Sequence, residues 1–227
     1  MTKVVPLPEG ILVDTNFRTT LQQVVNIADP SNAVAAAYLV PAVIAFNPHG
    51  SLELTIPHFR NGNIRTYLKD KPVDEQRRML LKCSKALDAV HGAFGAHGNI
   101  KPENFLVTDD LDIRILFEFT RPCKSHEELP REEDSPPVHT INGDRAGFGS
   151  VIYEILTGTP PFYPHNYGRR MFKNLEELKL MERRNLTDDI WGLLTDCWSP
   201  GNPSARPSAG EVTARLTALP ASRMVNN

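Results

Sequence analysis

The sequence predicts an α+β fold with two unequal parts, a small β-rich unit over residues 1–59 and a larger α-helical one over 60–227. Two observations carry this reading. Before Phe59 the apolar residues alternate over short stretches between turn-forming residues, whereas after it they recur at intervals of three and four. At 227 residues with 41% hydrophobic content, the chain can close a substantial core as one domain.

Within the first part, Leu21, Val24, Val25 and Ala28 share one face of an expected helix over Phe17 to Ala28, which Asp29-Pro30 terminates. Val34 to Phe46 and Ser51 to Ile56 read as strands around the turn Asn47-Pro48-His49-Gly50. In the second part Met79, Leu80, Cys83, Leu87 and Val90 mark a helix with Asp74 as its expected N-cap. Phe148, Val151, Ile152 and Ile155 mark the next, and Ile190, Leu193, Leu194, Cys197 and Trp198 another. The last opens on the capping box Ser208-x-x-Glu211 and runs through Val212, Leu216 and Leu219. Between them, 120–143 is rich in charge and proline without sustained period, and reads as an exposed loop.

Composition narrows the function classes. Lys and Arg number 25 against 27 for Asp and Glu, a formal net charge of -2, so no global basic field draws nucleic acid. Cys83, Cys123 and Cys197 are odd in number, widely spaced and without a histidine cluster, which argues against a disulfide framework or a zinc site. Pro6 and Pro8 interrupt the N-terminal apolar residues before a signal-peptide core develops. The longest apolar run, Ala33 to Phe46, contains Pro41 and is too short to span a bilayer. The expected location is cytoplasmic or nuclear.

The chemistry-bearing motif is His97-Gly98-Asn99-Ile100-Lys101-Pro102-Glu103-Asn104. Its spacing is that of the loop H-R-D-L-x-x-x-N, in which Asp serves the substrate hydroxyl and Asn holds magnesium. Further landmarks follow the same order: Asn61-Gly62-Asn63-Ile64-Arg65-Thr66-Tyr67-Leu68, Asp144-Arg145-Ala146-Gly147-Phe148-Gly149, Tyr153-Glu154-Ile155-Leu156-Thr157-Gly158, Pro160-Pro161-Phe162, Cys197-Trp198 and Arg206-Pro207-Ser208. Together they resemble a eukaryotic protein kinase of the tyrosine-kinase or tyrosine-kinase-like branch.

The resemblance implies a single bilobal kinase-like domain with a reduced N-lobe over 1–59 and a C-lobe over 60–227 whose activation-segment-like loop is 120–143. It implies structural roles for His97, for Asp144 as holder of the catalytic-loop backbone, and for Arg206, whose expected ion-pair partner is Glu132 or Glu133. Pro57 to Phe59 correspond to the hinge whose backbone would take adenine, so Pro57 and Phe59 are the nucleotide-contact candidates. Asn104 and Glu118, the latter in Glu118-Phe119-Thr120 at the D-F-G position, are the candidate metal residues. Lys101 is a candidate phosphate contact.

The departures lie where phosphate chemistry takes place. Asn99 stands at the catalytic Asp position, and an amide cannot take a proton near neutral pH. G-x-G-x-x-G is absent, no V-A-I-K is present, Lys3 lies on the wrong side of Val4-Val5, and Gln22 and Gln23 stand where a glutamate would pair with the lysine. General-base assistance is worth roughly 10²–10⁴-fold, so Asn99 alone would leave a slow enzyme. Loss of the phosphate clamp strikes the positioning and electrostatic terms that dominate phosphoryl transfer.

The expectation is therefore a pseudokinase that scaffolds or regulates signalling through a protein partner, an active kinase or its substrate. The alternative is a weak ATP-dependent protein kinase using magnesium or manganese. Ser125, Ser135, Thr140 and Tyr163 read as ordinary hydroxyls, Tyr153, Trp191 and Trp198 as core, and His49 and His91 as residues without a supporting constellation.

Overall fold

The computed structural model describes residues 2–6, 32–46, 52–117, 140–161, 182–199 and 201–226. The expected helix 17–28, the turn 47–50, Gln22, Gln23, Glu118, Glu132, Glu133 and Cys123 lie outside the described residues.

The small part contains a three-stranded antiparallel sheet of order β1-β3-β2, formed by β1 (Thr2–Pro6), β2 (Val43–Phe46) and β3 (Leu52–Pro57). Its central strand pairs Ile56 with Lys3 and Leu54 with both Val5 and Ile44. Where Val34 to Phe46 was expected to be strand throughout, Ala33–Tyr38 is a helix, α1. The reason is local. Asn32 Oδ1 accepts the Val34 and Ala35 amides at 3.0 and 3.1 Å, and the alanines that follow are the best helix formers. Ala35 and Leu39 then enter the core built by the larger part. Arg114 donates to the Ala36 and Leu39 carbonyls and so satisfies the C-terminal end of α1.

The chain passes from β3 into α2 (Ile64–Leu68), opened by an Asn63–Thr66 capping box. Next comes α3 (Val73–Phe94), the longest helix among the described residues. Its N-cap is Pro72, not Asp74. Proline's missing N–H is costless at a helix start, and Asp74 with Glu75 lies in the first turn, where carboxylates favour the exposed amides. The buried face of α3 carries Met79, Leu80, Cys83, Leu87 and Val90.

A short hairpin of β4 (Phe105–Val107) and β5 (Ile113–Ile115) follows, with Phe105 opposite Ile115. Then α4 (Ile141–Thr157) runs through the centre of the larger part with Phe148, Val151, Ile152, Tyr153 and Ile155 buried. Residues 141–143, expected in the loop, belong to this helix because Thr140 Oγ1 caps the Gly143 amide at 3.0 Å. Gly158 ends it at φ 74, the left-handed conformation that glycine adopts without steric penalty. Two further helices, α5 (Asp188–Trp198) and α6 (Ala209–Ala218), complete the core against α4 and α3. Ser208 and Glu211 form the expected capping box.

A second, smaller cluster joins the two parts: Val40 and Ile56 on one side, Leu106 and Leu116 on the other, with Phe59 packed beside them. No helix of the described residues is long and apolar enough to cross a membrane.

Candidate functional site

The segment His97 to Asn104 crosses from the end of α3 to the start of β4, and its shape is fixed from below. Asp144, in the first turn of α4, is fully buried and accepts the His97 N–H at 2.6 Å and the Gly98 N–H at 2.8 Å. Gly98 has φ 82, which a side chain at that position would strain. His91, in the last turn of α3, places Nε2 2.9 Å from the same carboxylate. The reading of His91 as isolated is thus corrected: it and Asp144 are 53 residues apart in the chain, a separation that leaves no local signal.

His97 itself is buried. Its Nε2 lies 3.0 Å from the Leu116 carbonyl and its ring packs on Phe117 at a centroid distance of 4.3 Å. Its Nδ1 accepts the Asn99 N–H at 3.2 Å. Because an amide N–H only donates and a carbonyl only accepts, the two contacts together require the neutral tautomer with the proton on Nε2. His97 therefore sets the Asn99 backbone while fastening the loop to the chain after β5.

Asn104 closes the segment. Its Nδ2 donates to the Asn99 carbonyl at 2.9 Å, its N–H to the Lys101 carbonyl at 3.0 Å, and its own carbonyl accepts Leu116 N–H at 2.8 Å. The side chain is fully buried, yet Oδ1 has no hydrogen-bond partner among the described residues. Such an atom costs roughly 1–3 kcal/mol unless a ligand or water engages it. A neutral oxygen of this kind suits a hard cation such as magnesium. The fit is half supplied, since Glu118 lies outside the described residues and no cluster of three or more His, Cys, Asp or Glu able to hold a metal occurs among those described. Asn99 and Lys101 are half-buried on the same segment, Lys101 immediately before the turn Pro102–Asn104.

At the junction, Pro57 ends β3 and Phe59 packs against the Ile56, Leu106 and Leu116 cluster. The Phe59 carbonyl accepts Gly62 N–H at 3.1 Å, which turns the chain toward α2. Lys3 is opposite Ile56 in β1, one register position from the pair Thr2 and Pro57.

Arg206 is buried, donating Nη1 to the Asn142 carbonyl at 2.8 Å and Nη2 to the Trp198 carbonyl at 3.1 Å. It thereby ties the start of α4 to the end of α5. One ion-pair cluster escaped the sequence reading although its members stand in the quoted motifs: Arg65 on α2 contacts both Glu103 in the loop segment and Glu154 on α4. Their separation in sequence concealed them.

No family model matches the chain. Curated relatives include ribosomal protein S6 kinase alpha-3 of Homo sapiens, 28% identical over 188 residues, which are 76% of this chain and 25% of that protein. Ribosomal protein S6 kinase alpha-2 of Mus musculus is 28% identical over 140 residues, 55% of this chain and 19% of that protein. The fibroblast growth factor receptor of Hydra vulgaris is 25% identical over 198 residues, 74% of this chain and 24% of that protein. The chain thus spans a quarter or less of these relatives. They are protein kinases, and it is to the protein kinase family that this chain is similar.

Proposed function

We propose that the chain is a kinase-like domain impaired in phosphotransfer, a pseudokinase of tyrosine-kinase-like type that works by binding a protein partner in a cytoplasmic or nuclear signalling assembly. The observation that carries this reading is the contrast within one loop. The frame around it is intact, with Asp144 on the His97 and Gly98 amides and Asn104 on the Asn99 carbonyl. The group at its catalytic position is an amide, Asn99, which has no basic oxygen with which to take a hydroxyl proton. A frame retained around an inert centre suits recognition better than turnover. The partner in this reading is an active kinase or its substrate.

A second reading is supported by the orphaned Oδ1 of Asn104. ATP with magnesium or manganese would find there one oxygen ligand, with Lys101 nearby in sequence as a phosphate contact and the Pro57 to Phe59 backbone for adenine. Among the described residues no hydrogen bond engages the Phe59 N–H. In this reading the protein is a slow, unconventional kinase with substrate or water in place of the base.

Melting temperature measured with ATP, with and without either metal, separates the two, because a ligand that binds only the folded chain raises it. The scaffold reading expects no shift at millimolar ATP and no phosphotransfer to a generic protein substrate. A saturable, metal-dependent rise that Asn104→Ala abolishes, together with phosphotransfer lost in Lys101→Ala, would replace it with the second reading.

A further inference from the structure

The sequence holds two Asn-Gly dipeptides, Asn61-Gly62 and Asn142-Gly143, and the fold treats them differently. In such a pair the glycine amide nitrogen can attack the asparagine side-chain carbonyl carbon, because no Cβ shields it. A C–N bond forms, the glycine N–H proton goes to the departing Nδ2, and ammonia leaves behind a succinimide ring. Water then opens either ring carbonyl, giving aspartate or isoaspartate. This chemistry is one root of the thermal lability of asparagine.

Asn61-Gly62 lies where the chain turns from β3 into α2. Gly62 has φ 69, and a Cβ there would stand 2.5 Å from Thr66 Oγ1, so the turn demands glycine. Asn61 Nδ2 donates to the Thr108 carbonyl at 2.7 Å, and the Gly62 carbonyl accepts Val107 N–H at 2.9 Å. The residues that fasten this junction are thus also a reactive pair. While it is closed, both reacting groups are engaged: the Gly62 N–H donates to the Phe59 carbonyl at 3.1 Å, and the leaving amine is held by Thr108. Residues 61–63 are only half-buried, so these bonds can open without dismantling the core.

Asn142-Gly143 is in the opposite situation. It belongs to the first turn of α4, where the Asn142 carbonyl accepts Arg206 Nη1 at 2.8 Å and its Oδ1 accepts Arg145 Nη1 at 3.1 Å. Gly143 is buried, and its N–H donates to Thr140 Oγ1 at 3.0 Å. Freeing that pair requires α4 to come apart.

We propose that Asn61 is a spontaneous deamidation site gated by the junction between the two parts. It stays asparagine while the Thr108 contact is closed and converts to aspartate or isoaspartate from the open form. Conversion then locks the opening in. Aspartate sets a carboxylate oxygen against the Thr108 carbonyl, two acceptors with no proton between them, beside a turn that already carries Asp109, Asp110 and Asp112. Isoaspartate lengthens the main chain by one methylene just before the α2 cap Asn63 and shifts the Gly62 carbonyl from its place opposite Val107. The reaction consumes water alone, so it is independent of nucleotide, metal and partner.

The test incubates the unaltered full chain at neutral pH, folded and in urea, and follows both dipeptides by peptide mass mapping, with isoaspartate counted by enzymatic carboxyl methylation. In urea the two should convert at comparable rates. In the folded chain Asn61 should convert at least about tenfold more slowly than in urea, and Asn142 at least about tenfold more slowly again, because local opening costs less than global unfolding. Hydrogen exchange of the Val107 amide, which is released by the same opening, should be slowed by the same factor as Asn61 conversion. Asn61 converting as fast folded as unfolded, Asn142 keeping pace with it in the folded chain, or Asn61 surviving in both states overturns the proposal.

Asn61→Asp, the aspartyl product made directly, should speed Val107 exchange at least about tenfold, and unchanged protection would overturn the lock. If that variant folds poorly, the same exchange is measured on the isoaspartyl form separated from aged, unaltered protein, with the same two outcomes.

Discussion

Replacing Asp144 with alanine removes the one carboxylate on which His97, Gly98 and His91 converge, and the structure sets the scale of the loss. The side chain has no solvent exposure, so water cannot substitute for it. It accepts two backbone N–H bonds at 2.6 and 2.8 Å and faces the imidazole Nε2 at 2.9 Å. Bonds to a charged acceptor contribute about 1.5–3 kcal/mol each, but they share one group and do not add. The amides and imidazole left behind would carry the greater part of the cost. Breaking a buried charged network by removing one member typically costs about 3–5 kcal/mol, so Asp144→Ala should lose about 4 kcal/mol. Asp144→Asn retains one acceptor oxygen and should lose about half of that.

Urea unfolding followed by circular dichroism measures both, with an unchanged denaturant slope as the condition for comparing midpoints. Amide exchange supplies the local readout, since His97 and Gly98 should lose protection before the α4 core does. A loss below about 1 kcal/mol in Asp144→Ala, with both amides still protected, would show that the loop is held by something other than this carboxylate.

Further outcomes are expected elsewhere. A Cβ on Gly149 would lie 2.7 Å from Cys197 Cβ, so Gly149→Ala should destabilise by about 1–3 kcal/mol in the same urea assay. Ser208→Ala removes the α6 N-cap and should lose about 1 kcal/mol, read from the thermal midpoint. Burial pushes the Cys197 thiol up to about 12 and the Cys83 thiol well above its ordinary value, so neither should alkylate with iodoacetamide until urea unfolds the chain, as mass mapping will show. The Arg78 guanidinium beside Glu75, aided by the Tyr67 hydroxyl, holds the Glu75 carboxyl below its ordinary 4.5. A lowered folded value means that this contribution is complete above 4.5 and is lost as pH falls through the folded value. Glu75→Gln should therefore flatten the acid side of the melting-temperature profile relative to the unaltered chain.

What could be read from the sequence depended on whether a feature was local. The α3 helix showed itself through Met79, Cys83, Leu87 and Val90, because one face meets the core over its whole length. The α6 capping box was equally plain, since Ser208 and Glu211 act on each other within a single turn. The α1 helix was hidden because a run of small apolar residues reads as strand as readily as helix. What decided between them was a side-chain cap from Asn32 and tertiary support from Arg114, 78 residues away. At the site, the motif located Asn99, Lys101 and Asn104, and the resemblance placed Asp144 near them. The His91 contact and the Arg65, Glu103 and Glu154 cluster depend on helices meeting in space, which periodicity along one segment does not report.

The docking of α1 bears on how this protein divides into independently stable pieces. Ala35 and Leu39 belong to the same apolar cluster as Leu80, Leu87, Phe105 and Ile115, and Arg114 fastens the helix from β5. An excised fragment starting at residue 60 would bare a greasy socket where α1 belongs and leave Arg114 without those carbonyls. The shortest excision that keeps this core sealed begins at Asn32, upstream of β2 and β3. The helix travels with the larger part although it lies in sequence between β1 and the other two strands of the smaller, so the chain crosses the joint between the parts three times, from β1 to α1, from α1 to β2 and from β3 to α2.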